Sequence, residues 1–365
     1  MKGASTSFFI LSALVVAGVP SALVAEHGGC DFPLDRHLIR VYNHEDGLPL
    51  DTVYDIQQDD QRMLWVGTED GLARFDGREF ERINLSPLIG DAAEFAERLA
   101  LAGDDRLLVG LTGFGLVALD TRFTATSQLL APLTSPVHAV HADANGAVLV
   151  GTRGEGLAVI DEPAMAPRFP ERGRTGTTIT AITPRVGGGY WIGYAGQGVQ
   201  LFDGADFSSP PSVEPLGGLY VNDLVEDSSG DLWVGAREGL FRLDADDEYS
   251  LTVLGEADGL PEAPFINALA IDHGGNLWVG TGGDGIARLC NGQFEQMGPE
   301  DGLPQGHINR ILEDHEGNMW LATGGGGLVR LSLGAALPIT ERHGLPPWPR
   351  RWLLTVNSMR TCFPC

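Results

Sequence analysis

A five-residue phrase recurs along this 365-residue chain at nearly constant spacing. It reads Leu-Trp-Val-Gly-Thr in its clearest copies, Leu64–Thr68 and Leu277–Thr281, and is followed by Gly-Leu or a similar pair and then by Arg-Phe or Arg-Leu. A period of 41 to 45 residues separates the fourth positions of the seven copies, which are Gly67, Gly110, Gly151, Gly193, Gly235, Gly280 and Ala322. Such a period indicates one supersecondary unit stacked repeatedly.

The unit itself consists of short apolar strands separated by turns rich in Gly, Asp and Asn, a pattern typical of an antiparallel meander. The last unit predicts turns at Asp301–Pro304 and Asp314–Asn318, strands at His307–Glu313, Met319–Thr323 and Leu328–Leu331, and a weaker fourth strand at Leu337–Thr340. Four-stranded units of this length are the blades of a β-propeller. We therefore predict an all-β fold, a seven-bladed β-propeller of four-stranded antiparallel blades over residues 38–340.

The second strand of most units carries a tryptophan on a strand that is apolar on both faces, which requires cover from both neighbouring blades. The predicted inter-blade tryptophans are Trp65, Trp191, Trp233, Trp278 and Trp320. Leu108 and Leu149 occupy the same position in blades two and three. Two segments compete to supply the strand that closes the ring, Leu38–Tyr42 and Leu337–Thr340. Asp91–Ala102 has some helical character, but its place in the repeat predicts a strand.

The two termini depart from the repeat. Residues 1–25 combine Lys2, an apolar run and small residues up to Ala25, which predicts a cleaved secretory signal peptide. Residues 26–37 form an N-terminal lead. Residues 341–365 open as a further blade and then abandon the pattern, so we interpret them as an atypical tail, the truncated or frameshifted start of a second propeller.

Composition excludes several classes of function. The formal net charge of −25 disfavours nucleic acid and anionic lipid as partners. Lys2 is the only lysine, which excludes Schiff-base chemistry in the mature chain. Four cysteines are too few for a disulfide framework at this length, although Cys362 and Cys365 have redox spacing.

The repeat resembles the two-component regulator propeller family. Asp46–Pro49, Asp59, Leu64–Thr68, Gly71–Leu72 and Arg74–Phe75 match its pattern in order, and blades five to seven match nearly as well. The resemblance implies a periplasmic sensor propeller that belongs to a receptor with a histidine kinase or diguanylate cyclase output and that acts as a homodimer when intact. In several branches such propellers are thought to sense carbohydrates, so an oligosaccharide is the expected ligand. No output domain is recognisable in this chain.

A ring of varied polar residues is the strongest candidate site. One polar residue follows the first apolar position of every innermost strand, and it differs between blades, whereas a purely structural position would tend to repeat one residue. The predicted channel ring is Tyr54, Glu97, His138, Thr180, Asn222, Asn267 and Asn309. Loop residues predicted on the same face are Phe114, Arg153, Tyr194, Gln197 and Arg237. A polar ring can bind a hydroxyl-rich ligand through several hydrogen bonds, and a water-filled channel without ligand is the alternative.

Two other repeated residues have simpler explanations. The aspartates of the Asp-x-x-Gly turns supply too few oxygens for calcium and are expected to cap their own turns. The arginines of the third strand, Arg74, Arg242, Arg288 and Arg330, are expected to make an inter-blade or loop hydrogen bond. We predict no metal, no cofactor and no catalytic residues.

The leading hypothesis is thus an exported, ligand-binding sensor propeller without its output domain and without membrane insertion after signal cleavage. An exported protein–protein interaction scaffold and a propeller lyase or hydrolase are the alternatives, since fold alone does not fix function.

Overall fold

The computed structural model describes residues 33–89, 95–103, 105–113, 115–122, 128–131, 133–143, 145–161, 167–245, 249–261, 264–304 and 307–333. Within these ranges the chain forms seven antiparallel sheets arranged as the blades of a β-propeller, which confirms the predicted fold. Strands of the first three blades are β2 (Val53–Gln58), β3 (Leu64–Thr68), β4 (Gly71–Phe75) and β5 (Phe80–Ile83); β6 (Ala96–Leu101), β7 (Arg106–Leu111), β8 (Gly115–Asp120) and β9 (Gln128–Ala131); and β10 (Val137–Ala142), β11 (Val148–Thr152) and β12 (Leu157–Ile160).

The remaining blades follow the same meander, with the innermost strand first. Their strands are β13 (Ile179–Pro184), β14 (Tyr190–Tyr194), β15 (Gly198–Phe202) and β16 (Phe207–Ser208); β17 (Val221–Glu226), β18 (Leu232–Ala236), β19 (Gly239–Asp244) and β20 (Ser250–Leu254); β21 (Ile266–Ile271), β22 (Leu277–Thr281), β23 (Ile286–Cys290) and β24 (Gln293–Met297); and β25 (Ile308–Glu313), β26 (Met319–Thr323), β27 (Leu328–Leu333) and β1 (His37–Tyr42). Blade three has three strands among the described residues.

Helical structure is limited to single turns between strands. The α-helical turn is Ser86–Ile89, and the 3-10 turns are Leu34–Arg36, His44–Asp46, Pro211–Leu216, Glu256–Asp258 and Pro299–Asp301. Three of the 3-10 turns end at the glycine of a Gly-Leu-Pro motif, Gly47, Gly259 or Gly302, at φ of 93° to 107°. Glycine is required there because this left-handed conformation is unfavourable for other residues. No helix in the described ranges is long and apolar enough to span a membrane.

The ring closes through the N-terminal strand. Strand β1 pairs antiparallel with β27, from His37 opposite Leu333 to Tyr42 opposite Leu328, so it supplies the fourth strand of blade seven. The innermost strands contact one another in sequence around the ring, and β25 contacts β2 to complete it. Of the two predicted closing strands, Leu38–Tyr42 is confirmed, and Leu337–Thr340 lies outside the described residues.

The repeated glycine of the second strand marks a close approach between blades. A Cβ atom added to Gly280 would lie 2.7 Å from Cγ2 of Ile308, on the innermost strand of the next blade. Equivalent short contacts with the following blade occur at Gly67, Gly110, Gly151, Gly193 and Gly235. The glycine is therefore needed for packing between blades, and the sequence period directly reflects this contact.

The tryptophans pack between blades as predicted. Trp65 of blade one lies in a buried cluster with Leu99 and Leu107 of blade two. Trp278 of blade six packs in the same way with Ile311 of blade seven.

The indole N–H of each of these tryptophans is held by the aspartate of the preceding turn in the same blade. Oδ2 of Asp272 accepts a hydrogen bond from Nε1 of Trp278 at 2.8 Å, and Oδ1 accepts one from the backbone N–H of Asn276 at 2.8 Å. Three other pairs have the same tryptophan–aspartate bond, Trp65–Asp59, Trp233–Asp227 and Trp320–Asp314. No group of metal-ligating side chains occurs in the described part of the chain. The aspartates therefore cap their own turns and orient the tryptophans.

The repeated arginine contacts the tryptophan of its own blade, and in blade five Arg242 also makes the expected loop hydrogen bond, to Asp231 at 2.9 Å. Cζ of Arg288 lies 5.4 Å from the ring centre of Trp278, its cross-strand neighbour, and its guanidinium pairs with Glu295 on the fourth strand at 2.8 Å. Arg74, Arg242 and Arg330 lie over the tryptophans of their own blades at 5.5 to 5.9 Å. The arginine thus covers the indole and connects strands of one sheet.

Blades three and four deviate from the repeat, and each forms a compensating hydrogen bond with the next blade. Blade three has Leu149 in place of tryptophan, and its turn aspartate Asp143 accepts a hydrogen bond from the hydroxyl of Tyr190 in blade four at 3.0 Å. Blade four lacks the turn aspartate, and Nε1 of Trp191 donates instead to Glu226 of blade five at 2.7 Å. In both blades, a side chain of the next blade therefore supplies the missing hydrogen-bond partner.

Candidate ligand-binding site

The seven predicted ring residues share one unusual backbone feature. In every innermost strand the pairing register skips one residue directly after the first apolar position, as between Val53 and Asp55 in blade one. The skipped residues are the channel ring: Tyr54, Glu97, His138, Thr180, Asn222, Asn267 and Asn309. A β-bulge leaves its extra residue outside the ladder and redirects its side chain, and bulges are common beside active sites.

The ring lies at the end of the strands where the Gly-Leu-Pro and Gly-Thr-x-x-Gly turns meet. The backbone N–H of Gly327 donates to the carbonyl of Asp51 at 2.9 Å, and that of Glu69 donates to Thr52 at 3.2 Å. Both kinds of turn therefore share one face, as the connectivity predicted. We call it the ring face.

A cavity of about 460 Å³ opens inside the circle of innermost strands. Five ring residues line it, namely His138, Thr180, Asn222, Asn267 and Asn309, whereas Tyr54 and Glu97 do not. Its volume lies in the range of about 300–1,000 Å³ that is typical of small-molecule sites.

Three cavity-lining ring residues have unused hydrogen-bonding capacity among the described residues. Thr180 is 9% exposed, and its hydroxyl has no hydrogen-bond partner. Asn222 donates through Nδ2 to the carbonyl of Ile266 at 2.7 Å, and Asn309 donates to that of Val53 at 2.8 Å. These two bonds fix each amide against the next blade and leave its oxygen as an acceptor for a ligand.

The ring residues of blades one to three are ionisable. Nε2 of His138 lies 4.0 Å from Oε2 of Glu97, and both side chains are about one quarter exposed. Burial, together with the nearby Arg98 and Arg153, lowers the pKa of His138 against the opposing effect of Glu97. Burial and the carboxylates of Glu69 and Glu97 raise the pKa of Tyr54. This side of the ring therefore offers a neutral imidazole and a phenol at neutral pH, beside the side chain of Glu97.

A charged layer directly below the ring was not predicted. Arg310 of blade seven pairs with Asp55 of blade one at 3.5 Å and with Asp223 of blade five at 3.3 Å. Arg98 donates to the carbonyls of His138 and Glu97 at 2.6 and 2.8 Å.

The signal for this layer was available in the sequence. The position after each ring residue reads Asp55, Arg98, Ala139, Ala181, Asp223, Ala268 and Arg310, which places two acids and two bases on strands that are otherwise largely apolar. Burial raises the pKa of Asp223, while Arg310 opposes that shift.

The loop residues predicted on the ring face fall into three groups. Arg153, Gln197 and Arg237 are exposed there. Phe114 lies outside the described residues. Tyr194 is fully buried, because it occupies the last position of the second-strand phrase and packs into the core with Phe202 and Ile192. It is therefore inaccessible to a ligand, and its prediction as a site residue was wrong.

Comparison with known proteins supports the reading of the repeat. Residues 47–70, 215–238, 259–283 and 302–325 match the two component regulator propeller family, and together they make up about a quarter of the chain. Four segments of this chain therefore match the two component regulator propeller repeat. A search of curated proteins returns no significant relative of this chain.

Solved structures establish the fold. The extracellular domain from B. thetaiotaomicron described as hybrid two component system BT3049 is 20% identical, with a TM-score of 0.70, and the match covers 89% of this chain and 46% of that one. The corresponding domain of BT4673 is 19% identical, with a TM-score of 0.68, and coverage of 81% and 40%. Virginiamycin B lyase from Staphylococcus aureus is 15% identical, with a TM-score of 0.64, and coverage of 82% and 100%. This chain therefore spans less than half of the two extracellular domains and the full length of the lyase.

Proposed function

We propose that the chain is the ligand-binding propeller of an exported, periplasmic sensor of a signal-transduction receptor. Its ligand is a small hydroxyl-rich molecule, with an oligosaccharide as the first choice. The observation that carries the proposal is the set of five bulged polar ring residues that line the cavity, among which the Thr180 hydroxyl is buried and has no hydrogen-bond partner among the described residues. A buried hydroxyl without a partner costs about 1–3 kcal/mol, and a bound ligand would remove that cost.

Other observations support the receptor context. The printed descriptions of two similar structures are extracellular domains of hybrid two component systems. Cys290 is disulfide-bonded, which fits an oxidising compartment, and the other three cysteines lie outside the described residues. Export through residues 1–25, a kinase or cyclase output in a longer parent and dimerisation of that parent are parts of this proposal.

A sensor ligand would act by differential affinity for two arrangements of the receptor. The ring suits this role because its amides already connect neighbouring blades. Asn222 contacts blade six and Asn309 contacts blade one, so a ligand that binds their free oxygens would contact several blades at once.

A thermal-shift screen of the purified chain against oligosaccharides and small periplasmic metabolites tests the proposal. A ligand that binds only the folded state raises the Tm with concentration. We expect a hydroxyl-rich hit whose shift is lost in Thr180→Val and Asn222→Ala and is kept in the control Asp284→Ala, an exposed change on the same face. A hit unaffected by both ring variants would contradict the proposed site.

The cavity and one experiment on the same purified chain distinguish the proposed sensor from the two alternative functions. A scaffold is disfavoured by the concave cavity inside the circle of innermost strands, because protein partners usually bind broader surfaces. A lyase or hydrolase is the second candidate, favoured by the Glu97–His138 pair at the cavity mouth. Mass spectrometry of the hit ligand after incubation with the chain distinguishes an enzyme from a binding protein. An enzyme would form a product, and His138→Gln would abolish it.

A further inference from the structure

The ring face carries an arginine without an acidic partner, in a protein of net charge −25. Several exposed arginines are paired, for example Arg62 with Glu316 at 2.6 Å and Arg82 with Asp70 at 2.9 Å, whereas Arg36, Arg78 and Arg153 form no ion pair with a described residue. Arg237 forms no ion pair with any described residue, and its Cζ lies only 3.6 Å from the ring centre of Tyr220. An acidic surface should readily supply a carboxylate, so an arginine left unpaired is available for an external anion.

The position of Arg237 is fixed by its surroundings. Its backbone N–H donates to the carbonyl of Tyr220 at 3.0 Å, and Tyr220 bridges Ala195 and donates through its N–H to Glu238 at 3.2 Å. A guanidinium stacked flat on a phenol ring keeps its edge N–H groups available for a planar, two-point acceptor. The stack therefore presents a pre-organised donor edge on the ring face.

An aromatic wall continues from this stack. Phe265 lies 5.9 Å from Cζ of Arg237 and packs so closely over Gly282 that a Cβ there would lie 2.2 Å from its Cδ1. His307 meets Phe265 edge-on, with the ring centres 6.3 Å apart.

This wall stands directly beside the channel ring. Tyr220, Phe265 and His307 each precede a ring asparagine by two residues, so blades five to seven present aromatic side chains at the mouth of the cavity.

We propose that Arg237, Tyr220 and Phe265 form a subsite for the carboxylate of a ring-shaped ligand. The N–H groups at the guanidinium edge donate hydrogen bonds to the carboxylate. Such a charge-assisted pair is among the stronger polar contacts in proteins. The inference rests on the proposed function and narrows it to ligands that carry both hydroxyl groups and a carboxylate.

Acidic side chains lie on both sides of the ring face. Glu69 and Glu97 lie close to Tyr54 on the blade-one side and disfavour a carboxylate there. Glu238 and Asp284 are exposed on the side of blades five and six, so the Arg237 guanidinium, rather than the net charge of that side, selects the carboxylate. In this proposal the hydroxyl groups of the ligand face the ring and Thr180.

The test compares two probes that differ only in the carboxylate. D-glucuronate and D-glucose are titrated into the full chain at low salt, and binding is followed by NMR or calorimetry. We expect glucuronate to bind at least tenfold more tightly than glucose, with the difference abolished in Arg237→Gln and reduced in Arg237→Lys, which retains charge without the planar fork. The control Arg82→Gln removes an exposed arginine of the same face that is already paired, and it should keep the preference.

Each other outcome overturns the subsite. Equal affinity for the two probes, a preference that survives Arg237→Gln, or no glucuronate binding at tens of millimolar would each do so. The proposed function is judged separately by Thr180→Val and Asn222→Ala. If these leave glucuronate binding intact while Arg237→Gln removes it, the anion subsite stands and the channel ring is not the site.

Discussion

Replacing Gly280 by alanine tests whether the repeat period is set by the contact between blades. The added Cβ would lie 2.7 Å from Cγ2 and 2.9 Å from Cβ of Ile308, and 3.2 Å from Cβ of Ala268. Carbon atoms pack best at about 3.5–4.0 Å. The innermost strand of the next blade would therefore have to move away by roughly 1 Å, although both contacting strands are held in place by the backbone hydrogen bonds of their own sheets.

The expected cost follows from this overlap. Overpacking of this kind costs about 1–3 kcal/mol, while the loss of glycine entropy from the unfolded chain offsets about 0.4–1 kcal/mol. We expect a net loss of about 1–2 kcal/mol, measured as the free energy of unfolding in urea, and a fall in Tm of about 2–4 °C. The control is Gly255→Ala, where φ is −156° and no atom lies within 4 Å of the added Cβ. It should leave stability unchanged or slightly higher.

A double-mutant cycle makes the argument specific. Ile308→Ala removes the nearest methyl group, so it should cost less in the Gly280→Ala background than in the parent chain. Additive effects, or a Gly280→Ala protein as stable as Gly255→Ala, would refute the close-contact explanation.

Two further predictions concern buried polar groups. Asp272→Ala removes the cap of its turn and the hydrogen-bond partner of the Trp278 indole, so it should lower the unfolding free energy by about 1–3 kcal/mol. The control Asp284→Ala, at an exposed position, should change the unfolding free energy by less than about 0.5 kcal/mol. Equal effects of the two substitutions would contradict the capping role of Asp272. Asp223 has a raised pKa in the folded state, chiefly through burial, so its contribution to stability is present at low pH and is lost as pH rises above the ordinary carboxyl value of 3.8. The stability of Asp223→Asn relative to the parent should therefore increase with pH in melts between pH 4 and 8, and a decrease would show that pairing with Arg310 outweighs burial.

Much of the fold followed from the sequence because each blade repeats the same contacts. The anchor glycines, the inter-blade tryptophans and the turn aspartates recur at fixed offsets, so the blade count and most strand positions could be predicted. The segment around Ala96–Leu101 is a strand despite its local helical character, because its place in the sheet outweighs propensity.

The site was predictable in position but not in its contacts. Variation among the seven residues pointed to the channel ring, whereas the bulge that redirects them has no local sequence signature. Tyr194 was misassigned because its position in the strand phrase, not its polarity, decides its burial.

Contacts across the ring were beyond sequence reasoning. The ion pairs of Arg310 join blades seven, one and five across a separation of 87 to 255 residues, and no single repeat contains that information. The stack of Arg237 on Tyr220 likewise depends on two loops being brought together by the meander.

A crystal structure of the chain with the strongest hydroxyl-rich hit from the thermal-shift screen tests the central claim most directly. The account predicts ligand density in the cavity mouth, within hydrogen-bonding distance of the Thr180 hydroxyl and of the Asn222 amide oxygen. Density at the outer strands or at the Asp-x-x-Gly turns, with the channel ring unoccupied, would contradict it.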